Sequence, residues 1–378
     1  MRIFADKAIP ALESNLLRIL KHDEFSLTLF SDDQFETLNQ DTIDVLLIRS
    51  PTKINQNTLT NHKIKFIGSA TAGIDHLDTV FLDDLGIKWA HAPGCNAWSV
   101  VHYVMSALEV IYQEGLGTVS NGVGIIGYGN IGKRLATTLE TLKIPFSIYD
   151  PYLLDLKKYS LEEVFNHDVI TLHVPLTQKG AYPTFHMIDS NELGVLKNKS
   201  LINTSRGGVI NEAVISNEHY INLVLDVWES EPTVQEEYFN TVFLYTPHIA
   251  GYSLDGKENG TKIITERLGI FLGRSLDTRH FETERKFFNA EEIVAFQREY
   301  HASSFPRGFF SAQLNLSNQM QAFKLLHQAG NSLSKIRSKH LPRRDFNNYS
   351  ISGKNLNELE LLSKLTLLPK TSMKEPGC

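Results

Sequence analysis

The chain opens as short apolar runs separated by polar, helix-forming stretches. RIFADK (2–7), SLTLF (26–30), VLLIRS (45–50) and KFIGSA (65–70) predict strands, and a helical pattern over Ala11–His22 lies between the first two. The third and fourth runs are apolar without alternation and end in small or polar residues. Parallel strands read this way when helices cover both faces. Asn96 opens a long helical pattern, NAWSVVHYVMSALEVIYQ, with small residues where helices pack closely. A second series follows, in which GVGIIG (122–127), FSIYD (146–150), DVITLHV (168–174), SLINTS (200–205), INLVLDVW (221–228) and TVFLYTP (241–247) predict strands. NIGKRLATTLETL predicts a helix after the first of them, and Ser160 with Glu163 has capping-box spacing before another. Alternating strands and helices predict an α/β fold with a doubly wound parallel sheet. After Phe287 the texture changes. HASSFPRGFFSAQ (301–313) does not read as a buried strand, a basic helical stretch covers 331–346, NYSIS reads as a short strand, and NELELLSKLTLL (357–368) as an apolar helix. A third, smaller unit is expected there.

Length and charge narrow the partners. A chain of 378 residues suggests two or three domains, large enough to fold without staples. Lys plus Arg is 37 against 43 Asp plus Glu, a net charge of −6, which argues against a nucleic-acid binder. The two cysteines, Cys95 and Cys378, form no CxxC, so neither a disulfide framework nor a metal site is expected, and a reducing cytoplasm fits. No apolar run approaches the ~18 residues of a membrane span, so no membrane partner is expected.

The chemistry concentrates at predicted strand ends, where open α/β sheets bind ligands. Gly127, Gly129 and Gly132 form GxGxxG between a strand and a helix that begins at Asn130 and Ile131. The first glycine allows the tight turn, the second lets backbone approach a pyrophosphate, and the third lets helix and strand pack closely. Asp150, 18 residues after Gly132 and at the end of the next strand, suits the ribose hydroxyls of NAD and repels the extra phosphate of NADP. Arg206 in SRGGVIN, Glu231 in LDVWESEP and His248 in TPHIAGY each follow a predicted strand. Oxidising a 2-hydroxy acid needs a base for the hydroxyl proton, and histidine as a residue type titrates in the right range, so His248 can take or give that proton. Glu231 would stabilise its imidazolium. Arg206 offers a planar fork for the substrate carboxylate. Asp226 either accepts a hydrogen bond from the nicotinamide carboxamide or caps a loop. Alone, each of these residues is as well explained by a surface or structural role; together at strand ends they point to a dehydrogenase.

GYGNIG with Asp150, the SRGG run, LDVWESEP and TPHIAGY resemble the D-isomer-specific 2-hydroxyacid dehydrogenase family. The resemblance implies a Rossmann-type NAD-binding domain over 96–253. It implies a flavodoxin-like, discontinuous substrate domain from 1–95 plus 254–285, and a C-terminal α+β dimerisation domain over 286–378. It gives Arg206, Glu231 and His248 as catalytic, His248 as proton donor. Ser50, Thr71 and Tyr252 become substrate contacts. Asp150, Val174, Thr204, Ser205, Arg206, Asp226 and Gly251 join the glycine turn as NAD contacts. The implied activity is NAD-dependent oxidation of a small phosphorylated 2-hydroxy acid by a homodimer. Arg49 and Lys53 are the cations expected near the phosphate, with Arg343 and Arg344 as donors that a second subunit would offer. A different phosphorylated acid, such as 3-phosphoglycerate, and a non-enzymatic nucleotide-sensing scaffold are the alternatives.

Overall fold

Short, mostly apolar runs become the strands of two parallel sheets. The structure, a computed structural model, describes residues 1–153, 159–215, 221–274, 286–289, 308–340 and 343–352. Two units emerge, Met1–Asn96 with Ser253–Glu284, and Ala97–Tyr252 with Arg285–Cys378.

The first unit holds β1 (Arg2–Asp6), α1 (Leu12–Leu16), β2 (Ser26–Phe30), β3 (Val45–Ile48), β4 (Phe66–Ser69), α2 (Thr79–Asp84) and β5 (Lys88–His91). The sheet is parallel throughout in the order β2-β1-β3-β4-β5, the flavodoxin-like arrangement. β3 is buried at every position because its side chains feed two cores. Val45 and Leu47 pack with Ile3, Leu16 and Ile264, while Leu46 and Ile48 pack with Phe30 and Leu82. Ile264 belongs to a late helix, Leu254–Phe271, which starts where the Ser253 hydroxyl accepts the Gly256 N–H at 2.9 Å. The helix expected over Ala11–His22 is shorter, Leu12–Leu16, and continues as turns to Leu20. Strand β5 was not expected; KWAH is half exposed at the sheet edge and lacks the apolar run of a central strand.

The second unit begins with α3 (Ala97–Gln113), buried on nearly every side. It continues through β6 (Val123–Ile126), α4 (Asn130–Thr141), β7 (Phe146–Tyr149), α5 (Leu161–Phe165), β8 (Val169–Leu172), α6 (Ser190–Val195), β9 (Ser200–Asn203), β10 (Asn222–Leu225) and β11 (Leu244–Tyr245). The six strands are parallel in the order β11-β10-β9-β8-β6-β7. β6 lies between β7 and β8, so chain order reverses at its carboxyl end, where such sheets open a crevice. The capping box at Ser160 and Glu163 forms as expected.

The buried apolar residues described between 308 and 347 join the cores of the second unit. Phe309, Phe310, Leu314, Leu316 and Phe346 are at most 1% exposed and pack in the same cluster as Val101, Leu108 and Leu135. The basic stretch 331–346 is helical over Leu333–Ser338, and Lys286–Asn289 pairs in parallel with Tyr349–Ser352. The apolar helix expected over 357–368 lies outside the described residues. Among the described residues, no helix is long and apolar enough to cross a membrane, and no group of three metal-ligating side chains comes together.

Candidate active site

The glycine turn leaves space where a phosphate pair needs it. Gly127, at φ 94°, turns the chain out of β6. A Cβ on Gly132 would lie 2.1 Å from the Gly127 carbonyl oxygen, so α4 sits directly against the turn. A Cβ on Gly129 would meet nothing within 4 Å. Gly129 is the N-cap of α4 and no side chain caps the N–H groups that follow, including those of Ile131 and Gly132. Asp150 is held at the end of β7 by the N–H groups of Tyr128 and Tyr152, at 2.9 and 3.1 Å. Val174, after β8, is half-buried, with its side chain 3.0 Å from the position of a Cβ on Gly127. The Thr204 hydroxyl is buried without a hydrogen-bond partner. A hydroxyl awaiting an acceptor and open space before a helix N-terminus fit a dinucleotide. The GxGxxG signal does not reveal His173, whose Nε2 meets the Thr171 hydroxyl at 3.0 Å while Nδ1 has no partner. Burial lowers its pKa to about 3, so the ring is neutral.

The loops after β9, β10 and β11 are stitched to one another. Asn203 fixes the first: its carboxamide oxygen accepts from the Ser205 N–H and hydroxyl at 3.0 and 2.8 Å, and its amide donates to the Arg206 carbonyl at 2.8 Å. This leaves Arg206 half-buried, with Nη1 donating to the Ser205 carbonyl at 2.8 Å. A Cβ on Gly207 would lie 1.9 Å from the Trp228 carbonyl carbon, so glycine is what lets the first two loops touch. The Glu229 N–H donates to Glu212 at 2.7 Å, and the Glu212 N–H to Glu229 at 3.2 Å. The Trp228 indole then donates to the Thr246 carbonyl at 3.1 Å, joining the third loop.

His248 meets Glu231 at this junction. Its Nδ1 lies 2.8 Å from Oε2 and 3.0 Å from Oε1, and the two side chains are 34% and 23% exposed, so the pair reaches solvent. Burial would raise the Glu231 pKa. The His248 hydrogen bond and charge, the Trp228 N–H at 3.0 Å and the Arg337 charge together carry it below the ordinary value. His248 itself has φ 59°, a left-handed backbone uncommon outside glycine. Asp226 secures it: Oδ1 accepts from the Ile249 N–H and the Thr246 hydroxyl at 2.7 and 2.6 Å, and Oδ2 from the Ala250 N–H at 2.8 Å. Three of roughly four acceptor positions are thus used on the loop. The loop-capping reading of Asp226 therefore holds, and burial raises its pKa against the opposing pull of His248 and these donors.

The remaining residues fall into the two units separately. In the first, Ser50 is exposed just beyond β3, and the Thr71 hydroxyl meets Ser69 at 2.8 Å, which in turn meets His76 at 2.8 Å. Lys53 is exposed, but Arg49 Nε pairs at 2.9 Å with Asp6, a carboxylate only 1% exposed. Arg49 is thus committed at least in part to a buried anion, which its sequence context does not reveal. In the second unit Gly251 and Tyr252 are half-buried, with the Tyr252 ring edge-on to His340 at 6.0 Å. Arg343 corrects an expectation. It is 6% exposed and donates within its own chain, to the carbonyls of Ser99, Ile249 and Ala250, so it is not a cation offered to a second subunit.

Comparison with known proteins agrees with this geometry. Residues 113–250 match the NAD binding domain of the D-isomer specific 2-hydroxyacid dehydrogenases. An erythronate-4-phosphate dehydrogenase of Escherichia coli O139:H28 is 36% identical over 349 residues, covering 86% of this chain and 88% of that one. Another, from Proteus mirabilis, is 42% identical over 245 residues, covering 62% of this chain; the match spans 65% of that relative's length. The NAD-bound 3-phosphoglycerate dehydrogenase of Entamoeba histolytica shares the fold, with a TM-score of 0.60 at 20% identity over 75% of this chain and 99% of that one. TT0316 from Thermus thermophilus does so with a TM-score of 0.58 at 21% identity, over 73% and 99%. The chain belongs to the D-isomer specific 2-hydroxyacid dehydrogenase family.

Proposed function

We propose that this chain oxidises the C2 hydroxyl of 4-phospho-D-erythronate with NAD, giving (R)-3-hydroxy-2-oxo-4-phosphooxybutanoate, a step of vitamin B6 biosynthesis. The observation that carries the chemistry is the His248–Glu231 pair, 2.8 Å apart on a loop tied to the loop of Arg206. His248 takes the hydroxyl proton through Nε2 while Glu231 holds Nδ1 and stabilises the imidazolium that results. Arg206 binds the carboxylate and, in the reverse direction, polarises the C2 carbonyl oxygen. A bound NAD would supply the acceptor for the hydride leaving C2. Gly127, Gly129, Asn130, Ile131 and Gly132 would hold its pyrophosphate, Asp150 its adenosine ribose, and Val174, Thr204, Ser205, Asp226 and Gly251 the remainder. Asp226 also fixes the His248 loop, so its part in binding the cofactor is limited to one remaining acceptor position.

Ser50, Thr71 and Tyr252 serve as substrate contacts in this reading, and Lys53 is the exposed cation assigned to the phosphate. The enzyme acts as a cytoplasmic homodimer through residues after 286, which sedimentation of the full chain at several concentrations tests. The assignment itself is tested by NADH formation from 4-phospho-D-erythronate, D-erythronate and 3-phospho-D-glycerate with NAD or NADP. The expected result is a kcat/KM highest for 4-phospho-D-erythronate with NAD. A preference for 3-phospho-D-glycerate would replace the substrate, equal use of NADP would remove the role of Asp150, and binding of NAD without turnover of any acid would favour a sensing scaffold.

A further inference from the structure

The dipeptide that follows His248 is gripped from both sides. Its N–H groups, on Ile249 and Ala250, donate to Asp226 at 2.7 and 2.8 Å. Its carbonyls accept from Arg343, Nη1 to Ile249 at 3.2 Å and Nη2 to Ala250 at 2.7 Å. Asp226 is 0% exposed and Arg343 6%. One carboxylate and one guanidinium thus reach all four backbone polar groups of two buried residues; the Ile249 carbonyl also accepts from the Tyr252 N–H at 2.9 Å, while Arg343 is the donor to the Ala250 carbonyl. Arg343 arrives from far along the chain, and its own place is fixed on α3. Nη2 also donates to the Ser99 carbonyl at 3.3 Å, the Ser99 hydroxyl donates to Asp345 at 2.8 Å, and the Phe346 ring is edge-on to Trp98 and His102 at 5.5 and 5.8 Å. Three residues earlier His340 lies 3.3 Å from Arg343 Nη1 and edge-on to Tyr252.

We infer that Arg343 is a positioning residue for the proton transfer at His248. With Asp226 it holds the left-handed turn that seats the imidazole on Glu231. The argument rests on choice of side chain. A buried cation is costly unless its donors are used, and an apolar residue would fill the same volume more cheaply. What the guanidinium adds is direction, since its rigid fork spans two successive carbonyls where the single nitrogen of lysine reaches one. Asp226 fixes the N–H side of the dipeptide and cannot by itself stop it from tilting about that edge. Arg343 closes the carbonyl side, and so ties the geometry of His248 to the segment that carries residues 340–346.

The inference depends on His248 being the acid–base residue, and the experiment separates the two. Full-length wild type, Arg343→Lys, His248→Asn and the double variant are compared for kcat, KM for the hydroxy acid, NADH affinity and melting temperature. Arg343→Lys is expected to lower kcat about 10–100-fold, the scale of an ångström of misplacement, with KM and NADH affinity within about twofold of wild type. In the His248→Asn background the same change is expected to cost nothing further in kcat, because the group it positions is gone. Arg343→Ala with added guanidinium is expected to recover part of its kcat. A full-sized loss in the double variant, or a lowered melting temperature with kcat unchanged, would overturn the inference and leave Arg343 as scaffold alone. A rise in KM with kcat intact would overturn it in favour of substrate contact. If His248→Asn keeps wild-type activity, the acid–base reading itself fails, whatever Arg343 does.

Discussion

At the scale of single residues, the site separates groups that act on substrate from groups that act on backbone, and only the first kind is visible in a sequence. Arg206, Glu231 and His248 could be picked out because hydroxy-acid oxidation needs a fork, a carboxylate and an imidazole at strand ends. Asn203 and Thr246 could not, and Arg343 was given a different role, because what they hold takes its position only after folding. Asp226 stood between the two readings, and three loop donors now account for most of its acceptor capacity. The clearest test is His248→Asn. Asparagine tolerates the left-handed backbone at φ 59°, so the variant removes the proton carrier without adding strain. It should lower kcat by roughly 10²–10⁴-fold, the range for losing a general acid–base, and leave NADH affinity unchanged in a fluorescence titration. Glu231→Gln keeps an acceptor for the Trp228 N–H but removes the charge that pairs with imidazolium. Its pH–rate curve should move to lower pH; a curve superimposable on wild type would show that the pair does not couple in catalysis.

At the scale of elements, most central strands were legible because they are fully buried four-residue runs, as in VLLI, VGII, VITL and SLIN. Among the edges β5 was not, because KWAH lacks an apolar run and is fixed by its neighbour, and the strand read over 241–247 pairs only at Leu244–Tyr245. The turn into α4 makes a paired prediction. Gly129→Ala puts a methyl into open space, so the melting temperature should hold within the change expected of a surface site, about 0.5 kcal/mol. NADH affinity should nevertheless fall, because that space is where the pyrophosphate would lie. Gly132→Ala drives a methyl to 2.1 Å from the Gly127 carbonyl and should cost about 1–3 kcal/mol or more of stability before any ligand is added. Equal effects of the two variants on affinity and stability would contradict this division of labour. The clasp between the β9 and β10 loops predicts a pH effect. Burial, with the charges of Glu229 and Glu231 adding to it, raises the Glu212 pKa from 4.5 to about 7, against the Glu229 N–H that it accepts. Between those values the unfolded chain ionises this carboxyl while the folded chain keeps it protonated, so stability falls as pH rises through that window, by up to about 1.4 kcal/mol per unit. Glu212→Gln keeps the oxygen that accepts the Glu229 N–H and should flatten that decline in melting experiments. A slope equal to wild type would place the pH sensitivity elsewhere.

At the scale of the whole molecule, the change in sequence texture near Phe287 suggested a third, smaller unit, and the packing of the described residues shows how it depends on the second. A boundary read from texture sees where one helix–strand rhythm stops, and it cannot see which core the next apolar residues enter. Phe309, Phe310, Leu314, Leu316 and Phe346 enter the core built by α3 and α4. Burying a side chain of this size contributes roughly 1.5–3 kcal/mol, so five of them approach the roughly 5–15 kcal/mol that holds a whole domain together. Arg343 leaves with them, and the carbonyls beside His248 then lose their side-chain donor, the Ile249 carbonyl keeping the Tyr252 N–H. A chain ended at residue 285 should therefore not behave as a trimmed, active monomer. The first unit, whose strands and late helix all precede that point, should keep a cooperative thermal transition. The transition of the second unit should be lost or displaced far downward, and NADH binding with it. Calorimetry and an NADH titration on the shortened chain decide the matter. If two transitions and full NADH affinity survive, residues 308–346 are an appendage to the second core rather than part of it, and the positioning of His248 must be secured by Asp226 and Glu231 alone.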